Sequence, residues 1–199
     1  MKKIYFILLL LSVCKISFSQ TTSSVLSGIY MNSQDYKNDK LSYILNCDSS
    51  SGKIKLNHFL SKNYVDVIQG GKKTRLLKDS IYGYRNCKLK DFRFFKNNDE
   101  EFLILENKSI LIYISDVPVT SSNGKTINLV PCYFFSAGLS SEILPLTVIN
   151  LKRAFPNNLK FHDMLDLEFN SVKDVSRYDD GHKMYKVNFL LTQSIKQIN

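Results

Sequence analysis

The feature that most constrains the fold is a succession of short strand patterns through the middle of the chain. Residues 90–96 alternate polar and apolar side chains for most of their length, which is the period of a half-buried strand. Residues 101–106 and 109–115 flank Asn107-Lys108, so they predict a hairpin in which Asn107 adopts a positive φ. Further strands are predicted at residues 43–46, 53–56, 64–69, 74–77, 81–84 and 127–135.

Glycines mark tight turns between these strands. Gly70-Gly71 and Asn123-Gly124 supply the backbone freedom that a short hairpin turn requires. Both pairs precede a lysine, as in a phosphate-binding loop, but the glycine spacing is wrong and the flanking patterns favour hairpin turns. We therefore predict an antiparallel meander, curled or partly closed into a barrel, because closure protects the edge strands.

The pattern becomes helical after Gly138. Apolar residues then recur at intervals of three or four, which is the helical period, and Ser171 with Asp174 is typical of a helix start. The helices are too short to be stable alone, so we expect them to pack on the sheet. The three apolar stripes are Leu146, Ile149, Ala154 and Phe155; Phe161, Met164, Leu165 and Phe169; and Met184, Val187, Leu191 and Ile195.

A sheet followed by helices predicts an α+β protein. We expect a single domain over residues 20–199 that is rich in strands over residues 25–138. Two to three short helices should occupy residues 141–199. The sequence contains no internal repeat and no low-complexity linker that would divide it further.

The first 19 residues are typical of a cleaved secretory signal. Two lysines precede an apolar run at residues 4–11 that is too short to span a bilayer, and Ser17 and Ser19 occupy the positions that signal peptidase reads. We predict that the mature chain begins at Gln20, is periplasmic or extracellular, and has no membrane span. Lipid attachment at Cys14 is the alternative, but a valine precedes it where lipoprotein signals usually carry a small residue.

The net charge limits the classes of binding partner, and the cysteine content limits the number of disulfides. Signal removal takes three of the 27 basic residues and none of the 18 acidic ones, so the net charge falls from +9 to +6. The densest basic group, Lys72-Lys73 with Arg75, fits a solvated strand, so we do not expect nucleic acid as a partner. An odd cysteine count allows at most one internal disulfide, and we expect three buried free thiols instead. These three cysteines are Cys47, Cys87 and Cys132.

One group of residues could form a metal or acid/base site. His162 and Asp166 are spaced i, i+4 on the second predicted helix, and the turn before the last helix could bring further ligands close to them. The spacing matches no established metal motif, and Asp180 could instead cap the last helix. The full set of candidates is His162, Asp163, Asp166, Asp179, Asp180 and His182.

Two other kinds of site are weakly indicated. Residues 138–142 come nearest to a nucleophile elbow, but Glu142 occupies the position where that turn needs glycine. Nine aromatic residues could line a carbohydrate or lipid cavity, although cross-strand pairs in the core explain them more simply. These aromatics are Tyr82, Tyr84, Phe92, Phe94, Phe95, Tyr113, Tyr133, Phe134 and Phe135.

Several short segments resemble a family of uncharacterised secreted proteins typical of Bacteroidetes bacteria. The segments are Gly28-Ile29-Tyr30, Asp35-Tyr36-Lys37-Asn38, Ile81-Tyr82-Gly83-Tyr84, Phe92-Arg93-Phe94, Phe155-Pro156-Asn157-Asn158 and Tyr185-Lys186-Val187-Asn188. The resemblance covers most of the mature chain, and the signal ending in Phe18-Ser19-Gln20 fits the same group. It implies a secreted bacterial protein and transfers no catalytic or binding residue.

No motif places a nucleophile, a base and an orienting group together. We therefore predict a non-enzymatic module that binds another component of the cell envelope or extracellular space, with no cofactor. The alternative is an envelope hydrolase or metal-dependent enzyme that uses the region of His162, Asp166 and His182.

Overall fold

The computed structural model describes residues 24–49, 52–56, 62–95, 98–121, 124–169 and 175–196. The described helices are α1 (Ser33–Lys37), α2 (Val148–Ala154), α3 (Leu159–Glu168) and α4 (Lys186–Lys196), with a short 3₁₀ turn at Lys78–Ser80. The described strands are β1 (Leu26–Tyr30), β2 (Ser42–Asn46), β3 (Gly52–Lys55), β4 (Tyr64–Gln69), β5 (Lys72–Leu77), β6 (Gly83–Arg85), β7 (Asp91–Phe95), β8 (Asn98–Asn107), β9 (Leu111–Thr120), β10 (Ile127–Ser136), β11 (Leu144–Pro145), β12 (Tyr178–Asp179) and β13 (Met184–Tyr185).

Eight strands form one antiparallel sheet in the order β11-β10-β9-β8-β7-β6-β1-β2. The run from β6 to β11 is a meander of sequential neighbours, whereas β1 lies between β6 and β2. The predicted α+β class with antiparallel strands and short C-terminal helices is confirmed. The sheet is open, with β2 and β11 at its two edges, so the prediction of a curled meander or partly closed barrel is supported only as far as the antiparallel meander.

A three-stranded sheet, β3-β4-β5, packs on the β1–β7 part of the large sheet. Its core residues Val65 and Val67 alternate with more polar neighbours along β4, and they contact Ile29, Tyr84 and Phe94 of the large sheet. The predicted Gly70-Gly71 turn joins β4 to β5, and both glycines have positive φ. The predicted basic group lies on β5, where Lys73 and Arg75 form ion pairs with Asp66.

The C-terminal helices pack on the β9–β10 part of the large sheet. Leu151 of α2, Phe161 and Leu165 of α3, and Val187 and Leu191 of α4 are buried with Ile112 and Phe135 of the sheet. The predicted docking of helices on the sheet is therefore confirmed. In the described part of the chain, no helix is long and apolar enough to cross a membrane.

The predicted apolar stripes differ from the buried ones at several positions. Met184 lies in β13, before the last helix, and Ile195 and Ile149 are largely exposed. Asn188 and Ser194 are buried in their place, because hydrogen bonds satisfy both polar side chains. The predicted helix start at residues 171–174 lies outside the described residues, as does the predicted signal at residues 1–19.

The other face of the large sheet is covered by α1 and by the loop between β10 and β11. Phe102, Leu111 and Tyr113 of the sheet are buried there together with Ile143, and Tyr36 of α1 packs against them. The sheet is therefore covered on both faces, which the sequence patterns did not predict. Gly83 permits close strand pairing here, because a Cβ at this position would lie 1.9 Å from the Phe92 carbonyl oxygen.

Cys47 and Cys87 form a disulfide, so the expectation of three free thiols is wrong. Their separation of 40 residues along the chain hid the pairing, because β3, β4 and β5 lie between them. Cys132 is free and half-buried. The predicted hairpin around Asn107 forms between β8 and β9, but Asn107 is not among the residues with positive φ.

Candidate functional site

The predicted metal ligands on α3 have partners within the protein. The Nε2 atom of His162 lies 2.9 Å from the carbonyl oxygen of Phe155, which precedes α3. The carboxylate of Asp166 accepts two hydrogen bonds from Nζ of Lys152, at 2.7 and 2.6 Å. Both side chains therefore tie α3 to the segment before it.

The predicted ligands in the following turn form a separate local group. The Nδ1 atom of His182 lies 3.0 Å from the Asp179 carboxylate, and its ring packs on Phe189. This contact with His182 lowers the pKa of Asp179 to about 2. Asp180 lies in the exposed turn between β12 and β13, six residues before α4 begins at Lys186, so it does not cap that helix.

The described residues contain no group of three or more His, Cys, Asp or Glu side chains positioned to hold a metal ion. The structure therefore does not bring the α3 pair and the β12–β13 pair together as a ligand set. The residues near the predicted elbow, by contrast, border a cleft on the opposite side of the large sheet.

The cleft has a volume of about 360 Å³ and is formed by four chain segments. These segments are the connection from β1 to α1, the 3₁₀ turn with the residues after it, the end of β7, and the β10–β11 loop. A hydrogen bond of 2.9 Å from Ser140 to Ser33 joins two of these segments. The lining residues are Met31, Asn32, Ser33, Asp79, Ser80, Ile81, Tyr82, Arg93, Phe94, Phe95, Ser140, Ser141 and Glu142.

Arg93 is the buried cation of this cleft, with only 7% of its surface exposed. Its Nη1 atom donates to the Tyr113 hydroxyl at 2.9 Å and to Oγ of Ser136 at 3.2 Å, and Nη2 donates to the Ser141 carbonyl oxygen at 2.7 Å. The guanidinium also lies 5.2 Å from the centre of the Tyr82 ring. Neutral groups therefore hold the cation in one orientation.

The described residues supply no carboxylate partner for Arg93. Arg85 shows the ordinary arrangement on the same sheet, because its guanidinium pairs with both Asp91 and Asp39 at 2.8 Å. A buried charge is normally paired, since removing it from water is costly. A guanidinium has five N–H donors, and the three hydrogen bonds to Arg93 leave two of them without an acceptor among the described residues.

Tyr82 adds a second unsatisfied group to the cleft. Its hydroxyl is buried and has no hydrogen-bond partner within the described part of the protein. Burial raises the pKa of Tyr82, with a smaller contribution from Tyr113, so the hydroxyl is a neutral donor. Among the described residues, a buried hydroxyl without a partner therefore lies beside a guanidinium that has no carboxylate partner.

The mouth and the wall of the cleft differ from its base. Asp79 and Glu142 are exposed carboxylates among the lining residues, and neither bonds to the guanidinium. The half-buried Phe95 supplies an apolar part of the wall, whereas Ile81 and Phe94 lie among the lining residues but are buried in the core under the three-stranded layer. The cleft therefore combines one cation at its base, apolar carbon along its side and two negative charges at its rim.

The side chains that line the cleft limit the chemistry that can be assigned to it. The described lining residues include neither histidine nor cysteine, and Oγ of Ser136 is occupied by Tyr113 and by the Gly138 carbonyl oxygen. The region that came nearest to a nucleophile elbow is a loop after β10 that anchors Arg93 through the Ser141 carbonyl.

Sequence reasoning did not identify Arg93 as a site residue. The available signal was a charged residue within an aromatic strand, between Phe92 and Phe94. The alternating pattern favoured a solvent-facing position for it, because one face of a half-buried strand is normally wet. That inference failed because α1 and the β10–β11 loop cover the second face.

Comparisons with protein-family models, with curated proteins and with solved structures give no significant match. The resemblance to secreted Bacteroidetes proteins therefore stays a prediction, and the functional argument rests on the geometry of the cleft.

Proposed function

We propose that this protein is an exported binding module of the bacterial envelope or extracellular space that captures a small carboxylate-bearing ligand in the Arg93 cleft. One observation carries the proposal: among the described residues, buried Arg93 has no carboxylate partner and two of its donors have no acceptor, while it borders a cleft of about 360 Å³. A ligand carboxylate would provide the missing negative charge. Because a planar guanidinium matches a carboxylate with two parallel hydrogen bonds, this ligand group fits well.

Export is supported by two independent features. The first 19 residues have the charge and length of a secretory signal. The Cys47–Cys87 disulfide is of the kind that persists in oxidising compartments outside the cytosol. Mass spectrometry of the protein recovered from its native host should find Gln20 as the first residue and no lipid. A diacylglyceryl group on Cys14 would instead place the protein at a membrane surface.

Calorimetric titration tests the proposed ligand class. A carboxylate such as 3-phenylpropanoate should bind, whereas the matched amide 3-phenylpropanamide should bind at least tenfold more weakly, because the amide has no charge to pair with Arg93. Arg93→Met should remove this preference. Equal affinity for the acid and the amide in the parent protein would contradict the proposal.

A second variant keeps the test informative if Arg93→Met does not fold. Tyr82→Phe removes a buried hydroxyl for which the described residues offer no partner, so the ligand-free protein should be equally stable or more stable by about 1 kcal/mol. The same change should weaken carboxylate binding if the ligand uses that hydroxyl. A gain in stability without any change in affinity would exclude Tyr82 from the site.

The metal-dependent alternative has its own measurement. Elemental analysis of the purified protein should show no stoichiometric zinc if the binding proposal holds. Zinc that is lost on joint replacement of His162 and His182 would favour the enzyme hypothesis instead.

A further inference from the structure

We infer that the Arg93 cleft selects free α-amino acids with an apolar side chain, an inference that rests on the proposed function. The order of charges in the cleft carries it. The cation lies at the base, while Asp79 and Glu142 lie among the exposed lining residues. An α-amino acid carries a carboxylate and an ammonium group only two bonds apart, so it can satisfy both signs at once.

The two rim carboxylates separate this ligand from other anions. A phosphate or a dicarboxylate would place extra negative charge near Asp79 and Glu142, and like charges in a confined site repel strongly. A monocarboxylate without an ammonium group would provide no positive charge to pair with either rim carboxylate. A zwitterion gains from the guanidinium and from the rim carboxylates.

Glu142 follows Ser141 in the loop that anchors Arg93 and lies among the exposed lining residues of the cleft. The Ser141 carbonyl accepts a hydrogen bond from Nη2 of Arg93 at 2.7 Å, so the backbone of this loop is held next to the guanidinium. The Ser140–Ser33 hydrogen bond holds the same loop against the start of α1. The loop is therefore tied at both the base and the rim of the cleft.

The wall of the cleft bears on the ligand's side chain. A volume of about 360 Å³ leaves room for an amino acid with a large side chain. Phe95 lines the cleft and offers that side chain an aromatic surface, whereas Ile81 and Phe94 are buried in the core under the three-stranded layer.

Four small probes test the inference on the purified protein. Phenylalanine should bind about tenfold more tightly than 3-phenylpropanoate, which lacks the ammonium group, and N-acetylphenylalanine, in which it is blocked. Phenylalanine should also exceed 2-phenylethylamine, which lacks the carboxylate, by at least tenfold. In the paired variant Asp79→Asn with Glu142→Gln, the affinity for phenylalanine should fall to that of 3-phenylpropanoate, and the affinity for 3-phenylpropanoate should not fall.

The outcomes separate the two proposals. If 3-phenylpropanoate binds through Arg93 as tightly as phenylalanine, the carboxylate site stands and selection for amino acids is wrong. If the paired variant keeps the full preference for phenylalanine, the rim carboxylates do not select the ammonium group. If no probe depends on Arg93, the proposed function itself fails.

Discussion

The three-stranded layer and the helical layer cover different parts of the large sheet and are held in different ways. Among the described residues, the cluster under β3, β4 and β5 contains seven buried apolar residues, whereas the cluster under the helices contains twelve. The Cys47–Cys87 disulfide closes the segment that contains the whole three-stranded layer. The helical layer contains none of the disulfide's residues and depends on apolar burial with a buried polar anchor at Asn188.

The difference shows how the size of a core sets the need for a cross-link. Burial of apolar surface stabilises by about 25 cal/mol per Å², so a small layer gains less from packing than a large one. A cross-link compensates by reducing the conformational freedom of the unfolded chain. The comparison predicts that a polar substitution in the core lowers the stability most in the helical layer. Loss of the disulfide should destabilise the three-stranded layer most.

The largest expected effect is in the apolar core of the helical layer. Leu191→Asp should destabilise the protein by roughly 4 kcal/mol, because it places an unpaired charge among Ile112, Phe161 and Val187. Ile195→Asp, one turn further along α4, is the matched control and should cost less than about 1 kcal/mol, because Ile195 is 53% exposed. Urea unfolding measures both. Equal midpoints for the two variants and the parent would mean that α4 is not docked on the sheet.

The next effect is the loss of the disulfide. Joint replacement of Cys47 and Cys87 by serine should cost about 3 kcal/mol, which is within the range that removal of a native disulfide typically costs. Hydrogen exchange should rise most in β3, β4 and β5 and least in α3 and α4. Cys132→Ser is the control and should leave this exchange pattern unchanged. An equal increase in hydrogen exchange in both layers would contradict the prediction that the disulfide stabilises mainly the three-stranded layer.

The strand order of the large sheet was largely accessible from the sequence. The hairpins from β6 to β10 follow from alternating patterns and short turns, and local pattern determines such elements. The positions of β1 and of the three-stranded layer could not be predicted from the sequence. They are determined by pairing between distant segments, which leaves no local sequence pattern. The disulfide was missed for the same reason, since its two cysteines are separated by a complete layer.

The candidate site was the least predictable part of the molecule. His162, Asp166 and His182 attracted attention because histidine and carboxylate are common ligands, but each has a nearby partner in the protein. Arg93 belongs to no recognisable sequence motif. Its proposed role depends on the lack of a carboxylate partner among the described residues, which the sequence does not record. Only the folded arrangement of α1, β7 and the β10–β11 loop reveals that deficit.

A smaller effect is expected at the polar anchor of the helical layer. The Asn188 side chain accepts from the Ile110 amide at 2.9 Å and donates to the Ile110 carbonyl and to Glu106. Asn188→Ala should therefore cost about 2 kcal/mol, because buried groups on the sheet lose their partner. Asn157→Ala, in the exposed turn before α3, should change the unfolding free energy by less than about 0.5 kcal/mol. A loss at Asn188 no larger than at Asn157 would show that apolar burial alone holds the layer.

The smallest effect is a pH dependence at the edge of the helical layer. The hydrogen bond from His182 is the main cause that lowers the Asp179 pKa to about 2, and Lys186 adds to it. Because the folded pKa lies below the ordinary value of 3.8, this contact stabilises the fold above about pH 4 and is lost as the pH falls towards 2. Carboxyl NMR titration should show the low pKa in the parent and a value closer to 3.8 in His182→Ala. His162→Ala should leave it unchanged, because His162 contacts Phe155 instead. An unshifted Asp179 in the parent would mean that the β12–β13 turn is not held by this pair, which would leave the hydrogen bonds from the Tyr185 amide to Glu106 as the contacts that fix the start of α4.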